Sequence, residues 1–362
     1  MMLMEEYLAR FVPLIKPSKG FKELKSLIID TGLCCGCGTC VAFCSRIKMF
    51  DLPELVEACT LEQGSIKCSE EGTCYDNCPF ITAEFLSYEP LGEYKKIVAA
   101  RAKASEILAN AQDGGVATAL AIFALENNYV DAVVGVGRDE EWRARTITAK
   151  SREEVLSMVG TKYSKTPVVE EFGRVIKEEK LKKLMVIGLG CQINGIRNLQ
   201  KNLLKDLVDV TSIGLFCFEN FPYECLREKI KEEFNLSMSE IVKVDITKGK
   251  FIVKTKSGEI LKKTVKVFDP CVNDACNFCT NFSSVFSDLS VGSIGSEQGW
   301  TTVIVRTERG EKLLEEAEKA GYIEISENVD VKSIKYVAGL KRKKNAATVE
   351  KRKEEGLFIP GE

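Results

Sequence analysis

The sequence predicts an α/β fold, α+β overall once a cysteine-rich front segment is counted. Three observations predict it. Strand-like and helix-like runs alternate from about residue 91 onward, the pattern of sheet and helix layers stacked on one core. Nine of the fifteen cysteines crowd into residues 26–85, where little apolar alternation is found. The chain contains no histidine.

Taken in order, residues 1–25 form an apolar-basic lead-in, read as one helix. Residues 26–88 make the front domain, which cannot build a core alone and needs bound metal to fold. Composition changes at Glu89-Pro90-Leu91-Gly92, and residues 89–308 read as the main domain. Its expected strands are Lys96–Arg101, Ala132–Val136, Lys183–Ile187 and Val210–Phe216, with helices after Asp113, from Ser151 and near Ile193. Residues 241–260 read as a hairpin broken at Lys248-Gly249-Lys250, followed by strands Asp288–Ser293 and Thr302–Val305. Residues 309–362 read as a helix, a short strand and a basic tail holding Lys341-Arg342-Lys343-Lys344 and Lys351-Arg352-Lys353. A solvated helix face explains such a run; docking to a partner is the alternative, and without interleaved aromatics nucleic-acid binding is not expected.

The apolar fraction of 45% is that of an ordinary globular protein, and a net charge of −2 gives no global field toward nucleic acid or acidic membrane. The start lacks a basic secretory region, and the longest apolar stretch, Ala117 to Leu125, is too short to span a bilayer. The expectation is a cytoplasmic protein, at most peripheral on a membrane complex. Fifteen is an odd number of thiols, and a reducing cytosol disfavours disulfides, so metal-bound thiolate is the better account. Without histidine, mixed Cys–His zinc sites, Rieske centres, c-type haem attachment and histidine triads are excluded.

Cys34-x2-Cys37-x2-Cys40-x3-Cys44 is the bacterial ferredoxin run, in which three thiolates wrap one 4Fe-4S cube and the fourth reaches a second. A structural zinc site is the alternative, but zinc ligand pairs are usually spread over a longer span. Ser45 replaces the usual proline, and Cys35 falls outside the register and reads as a free thiol. The second run, Cys68-x5-Cys74-x3-Cys78-Pro79, ends like a ferredoxin motif but puts Glu71 where a cysteine is expected. Glu71 as a carboxylate ligand, Cys59 as a substitute, a 3Fe-4S centre lacking that corner, or no cluster at all remain open. A third set is dispersed: Cys191 and Cys217, each after a strand-like run, and Cys276-x2-Cys279 in one loop. These four could converge on a cube inside the main domain, or serve separately as buried structural thiols. Cys225 and Cys271 stay unassigned.

Further stretches carry a family likeness: Leu-Gly-Glu-Tyr-Lys-Lys-Ile-Val (91–98), Ala-Gln-Asp-Gly-Gly-Val (111–116), Gly-Thr-Lys-Tyr-Ser (160–164), Gly-Ile-Arg (195–197), Phe-Glu-Asn-Phe-Pro-Tyr (218–223), Lys-Gly-Lys-Phe (248–251) and Val-Gly-Ser-Ile-Gly-Ser-Glu-Gln-Gly-Trp-Thr-Thr-Val-Ile-Val-Arg-Thr (291–307). Residues from about Leu91 to Gly361 resemble the beta subunit of coenzyme F420-reducing hydrogenase, and the front resembles the extension of F420H2 dehydrogenase input subunits and some formate dehydrogenase beta subunits. One departure is Gly190, where the family has proline before the cysteine. The resemblance implies a ferredoxin-like iron–sulfur domain followed by an α/β flavin-binding catalytic domain, with Cys191, Cys217, Cys276 and Cys279 as ligands of an inner 4Fe-4S cluster. It also implies FAD, two or three clusters in all, F420 as substrate, partner redox subunits and an archaeal, anaerobic host.

F420 carries hydride and clusters carry single electrons, so a flavin is needed between them, and no side chain is assigned a catalytic role. Gly188-x-Gly190 with Gly195 is too loose for a dinucleotide fingerprint. Asp113-Gly114-Gly115, with Thr118 on the helix it opens, is the better phosphate candidate; a plain aspartate N-cap is the equal alternative. Thr161, Lys162, Tyr163 and Ser164 suit ribityl or phosphate oxygens. The 292–299 loop, with Gly292, Gly295 and Ser296, could let a flat ring approach backbone, with Trp300 beside it or in the core. Formate dehydrogenase, hydrogenase or sulfite-reducing service, a cluster-only electron relay, and a zinc-structured interaction protein are the alternatives.

Overall fold

The computed structural model describes residues 19–59 and 74–361. Cys68, Glu71 and most of the expected lead-in helix therefore lie outside the described residues.

The front opens with helix α1 (Phe21–Leu24), continued by the wider turn Lys25–Ile29, and carries an antiparallel hairpin of β1 (Ile47–Met49) and β2 (Pro53–Leu55). Helix α2 (Pro79–Thr82) follows directly on Cys78, with Pro79 at its first position, where a missing N–H costs nothing. The front does build a core, but a shared one. Phe21, Leu24, Ile28, Leu33 and Phe80 pack with Ala275 and Phe278 of the main domain.

The main domain is an eight-stranded mixed sheet in the order β13-β3-β12-β11-β7-β6-β4-β5. Its strands are β3 (Lys96–Ala102), β4 (Ala132–Arg138), β5 (Ala144–Ala149), β6 (Lys183–Leu189), β7 (Asp209–Leu215), β11 (Leu289–Gly292), β12 (Thr301–Val305) and β13 (Ile323–Ser326). Strands β4, β6, β7 and β11 run parallel, so their C-terminal ends share one edge. Open α/β sheets bind ligands at that edge. One face is covered by α4 (Val116–Glu126) and α10 (Glu308–Lys319), the other by α6 (Val168–Arg174) and α7 (Gly190–Leu199). Helix α4 is the longest apolar run of the sequence; it is apolar nearly all round because sheet and helices cover it. Among the described residues no helix is long and apolar enough to cross a membrane.

The hairpin expected at 241–260 forms as β8 (Ile241–Thr247) and β9 (Lys250–Thr255), turning at Lys248 and Gly249 with φ of 48° and 71°. Left-handed backbone at both central residues matches the twist of the strands. A third strand, β10 (Ile260–Thr264), extends it to a meander. The division expected at residue 308 falls inside the sheet domain, since α10 enters the core through Leu313 and Leu314 and β13 pairs with β3. The helix Val331–Glu354, α11 here, is the segment read as a basic tail.

Candidate functional site

The register of the sheet brings the dispersed cysteines together. Leu189 of β6 and Leu215 of β7 are cross-strand partners, and Cys191 and Cys217 each lie two residues beyond. Cys191 enters the first turn of α7, while the Cys217 N–H donates to the Phe282 carbonyl at 2.9 Å. Cys276 lies in the short helix α9 (Asp274–Phe278), and Cys279 caps its end. All four thiols line one cavity of about 480 Å³, counted with its open mouth. Burial pushes the Cys217 thiol up to about 12 and raises Cys276 and Cys279. A Cβ at Gly190 would stand 2.7 Å from Asn281 Nδ2, so a larger residue here would have to displace that amide. Asn281 Nδ2 and Asn220 Oδ1 are buried without partners, and both residues line the cavity. Soft donors together with an unspent amide donor fit an iron–sulfur cluster, whose sulfurs accept such hydrogen bonds. Among the described residues, no three Cys, Asp or Glu side chains gather tightly enough for a single metal ion.

Cys35, read as a free thiol outside the register, also lines this cavity and hydrogen-bonds Cys191 and Cys37. It sits between the two cysteine regions. In the front, Cys34, Cys37, Cys40 and Cys78 feel one another electrostatically. The Cys35 hydrogen bond, with Thr39 Oγ1 at 3.1 Å, draws the Cys37 thiol down to about 7. Burial pushes Cys34 up to about 11 and raises Cys40 and Cys78. Cys44 and Cys59 are buried and Cys74 half-buried. Main-chain contacts lock this loop to the main domain: the Val169 N–H donates to the Cys37 carbonyl at 3.0 Å, and Asn198 Nδ2 to the Asn77 carbonyl at 3.1 Å.

Cys225 and Cys271 are joined in a disulfide, their Cα atoms 5.5 Å apart. This assigns the two cysteines the sequence left unassigned, and runs against the general expectation that disulfides are disfavoured here; the bond ties α8 (Tyr223–Phe234) to the turn Val265–Cys271.

The nucleotide candidates gather at the same sheet edge. The N-cap of α4 is Gly115, with φ of 69°, and no side chain caps the helix. Asp113 is thus not the N-cap; its carboxylate accepts from Ser293 Oγ, linking the glycine turn to the 292–299 loop. Burial raises its pKa. Gly114 is buried, and Thr118 is half-buried in the first turn. Ser296 and Thr302 hydroxyls lie 2.6 Å apart, and Trp300, Gly292 and Gly295 are each half-buried. Tyr163, at φ of 61°, accepts at its hydroxyl from the Ile246 N–H at 3.2 Å. Ser164 Oγ is buried without a partner, while Thr161 is half-buried. Lys162 is spoken for: its ammonium donates to the carbonyls of Met158, Gly160 (2.7 Å) and Val159 (3.4 Å), and burial beside Arg138 draws its pKa down to about 7. That corrects its reading as a free phosphate cation.

The sequence reading missed Lys341. It lies in the basic run, yet it is 1% exposed, lines the thiol cavity, and donates to the Cys217 carbonyl at 2.7 Å. The solvated-face explanation fails for it and for Arg352, which is also buried. A signal existed: Ile334, Ala338, Lys341 and Arg352 share one helical stripe.

Fold and site define a mixed α/β protein that gathers cysteines at the C-terminal edge of its sheet. Residues 97–171 and 181–331 match the models of the coenzyme F420 hydrogenase/dehydrogenase beta subunit, N-terminal and C-terminal parts. The chain belongs to this family. It is 36% identical over 277 residues to a coenzyme F420 hydrogenase subunit beta of Methanosarcina barkeri, covering 74% of this chain and 95% of that one. It is 32% identical over 351 residues to a coenzyme F420-dependent sulfite reductase of Methanocaldococcus jannaschii, covering 92% of this chain and 52% of that protein. Among solved structures, the F420-reducing NiFe hydrogenase complex from Methanosarcina barkeri has a chain with TM-score 0.71 and 34% identity, covering 75% of this chain and 98% of that one.

Proposed function

We propose that this chain is the F420-reactive electron-transfer subunit of a larger redox assembly, exchanging hydride between F420 and FAD and relaying electrons through thiolate-held clusters. The observation that carries the reading is the convergence of Cys191, Cys217, Cys276 and Cys279 on one cavity, from three separate segments of an F420-family fold. Bound FAD would supply the conversion between hydride and single electrons. The thiols would hold the inner cluster, with the Asn281 amide free to donate to it. Asp113, Gly114, Gly115 and Thr118, with Thr161, Tyr163 and Ser164 and the 292–300 loop, would hold FAD and admit F420. Cys34, Cys37 and Cys40 with Cys78 would hold a front cluster, and Cys44, Cys59, Cys74 and residues 68 and 71 would supply a second. Cys35, between the two regions, lies on the route from the inner cavity to the front. The alignment with the sulfite reductase over 92% of this chain keeps a sulfite-reducing partner as a second reading.

The test is anaerobic purification, FAD and iron quantification, and stopped-flow mixing with reduced F420. Flavin bleaching followed by cluster reduction is expected. A protein with clusters but no flavin would be a relay only, and a flavoprotein inert to F420 would end the proposal.

A further inference from the structure

Lys341 stands out among the charges of this molecule. Its side chain is 1% exposed, and α11 brings it onto the wall shared by Cys191, Cys217, Cys276 and Cys279. Among the described residues no carboxylate pairs with it; Glu219, the nearby acid, is held by Lys344 at 2.9 Å. The buried Lys162 shows the contrast, because three carbonyls satisfy its ammonium. Among the described residues, Lys341 donates to a single carbonyl, that of Cys217 at 2.7 Å, and meets the Cys279 thiol. A desolvated ammonium is costly unless negative charge lies beside it, and here the facing groups are the four thiols.

We propose that Lys341 is a charge-compensating residue that holds a fixed positive charge against an anionic iron–sulfur cluster bound by these four thiolates, and so sets that cluster's reduction potential. This rests on the cluster reading given above. Adding one electron to the cluster makes the cavity one unit more negative. A cation fixed on the cavity wall attracts the reduced form more strongly than the oxidised form, so the potential rises. The position on α11 is specific: the same helix face carries Asn345, which donates to the Phe278 carbonyl, and Arg352, which donates to the Thr31 carbonyl of the front at 2.8 Å. The helix thereby spans both cysteine regions and holds its one cavity-lining ammonium at the inner one.

The test is an EPR-monitored dithionite titration of the anaerobic, cluster-loaded protein. Lys341→Gln keeps a polar donor on a shorter side chain and removes the charge, whereas Lys341→Arg keeps the charge. The inner cluster's midpoint is expected to fall in the glutamine variant and to stay near the parent in the arginine variant, with the front clusters' midpoints unchanged in both. A glutamine variant of full iron content and unchanged inner midpoint overturns the inference, as does an equal fall in all clusters. Should glutamine lose the inner cluster's signal while arginine retains it, the charge is needed for loading, which supports the proposal; loss in both variants overturns it. A parent protein without an inner cluster signal sinks the cluster reading instead, so the two failures are told apart.

Discussion

The two cysteine regions are built in opposite ways. In the inner cavity the ligand candidates come from residues 191, 217, 276 and 279, and strand register and short helices place them. In the front, Cys34, Cys37 and Cys40 sit in one tight loop whose surroundings include two three-residue strands and little else of regular structure. The inner cavity is thus a product of the sheet, which folds around a large apolar core containing none of its four thiols. The front holds its shape by borrowing Ala275 and Phe278 and by pinning its loop to α6 and α7. The lesson is that the same ligand chemistry can be prepaid by a scaffold or left to depend on what binds.

The comparison is most severely stressed by removing metal. Chelation under reducing conditions is expected to open residues 26–88 to limited proteolysis while the sheet domain stays resistant, because the front's core is small and shared, and metal-binding free energy adds directly to its folding. Equal cleavage of both regions, followed by mass spectrometry, would erase the distinction.

A smaller effect probes the scaffold. Asp288 is 4% exposed and accepts from Arg197 at 2.9 Å, from the Ser212 N–H at 2.8 Å and from Thr307 Oγ1 at 2.8 Å. Asp288→Ala removes the carboxylate facing Arg197 and the acceptor of the buried Ser212 N–H, and is expected to lower stability by about 1.5–3 kcal/mol in denaturant unfolding, with the front melting in the same transition. The seam between the regions is next. A Cβ on Gly195 would stand 2.0 Å from Thr39 Oγ1. Gly195→Ala should cost about 1–3 kcal/mol, and a double-mutant cycle with Thr39→Ala should recover part of it; additive costs would show that the seam is not this contact. At the low end, Ser151 Oγ accepts from the Glu154 N–H at 3.3 Å, far from either thiol group in the chain. Ser151→Ala should cost about 1 kcal/mol and leave iron content untouched.

Much of this architecture was legible in the sequence, and what was missed has physical causes. Lys96–Ala102, Ala132–Arg138, Lys183–Leu189 and Asp209–Leu215 read as strands because their apolar residues are buried on both faces. Ala144–Ala149 escaped because an edge strand buries only Ala144 and Ala149, so its Arg-Thr-Ile-Thr interior carries a weak pattern. The helix Tyr223–Phe234 escaped because its charged surface outweighs the buried Leu226 and Ile230. The four inner cysteines were legible as candidates only; their convergence depends on the β6–β7 register, which no local spacing encodes. The Cys225–Cys271 pair, 46 residues apart, was invisible for the same reason. Lys341 was hidden by its neighbours, since the run shifts from buried Lys341 through half-buried Arg342 and Lys344 to exposed Lys343, and only the helix phase distinguishes them. The alternative of Asp113 as a plain N-cap fails because Gly115 takes the left-handed cap position itself.

On the proposed reading a sheet edge, not a local motif, assembles the inner cluster site. Iron per chain in Cys191→Ser combined with Cys276→Ser tests it most directly, alongside EPR of the front clusters. The account predicts a loss of about four iron atoms per chain, one 4Fe-4S cube, with the front signals intact. Unchanged iron in the folded double variant would contradict it.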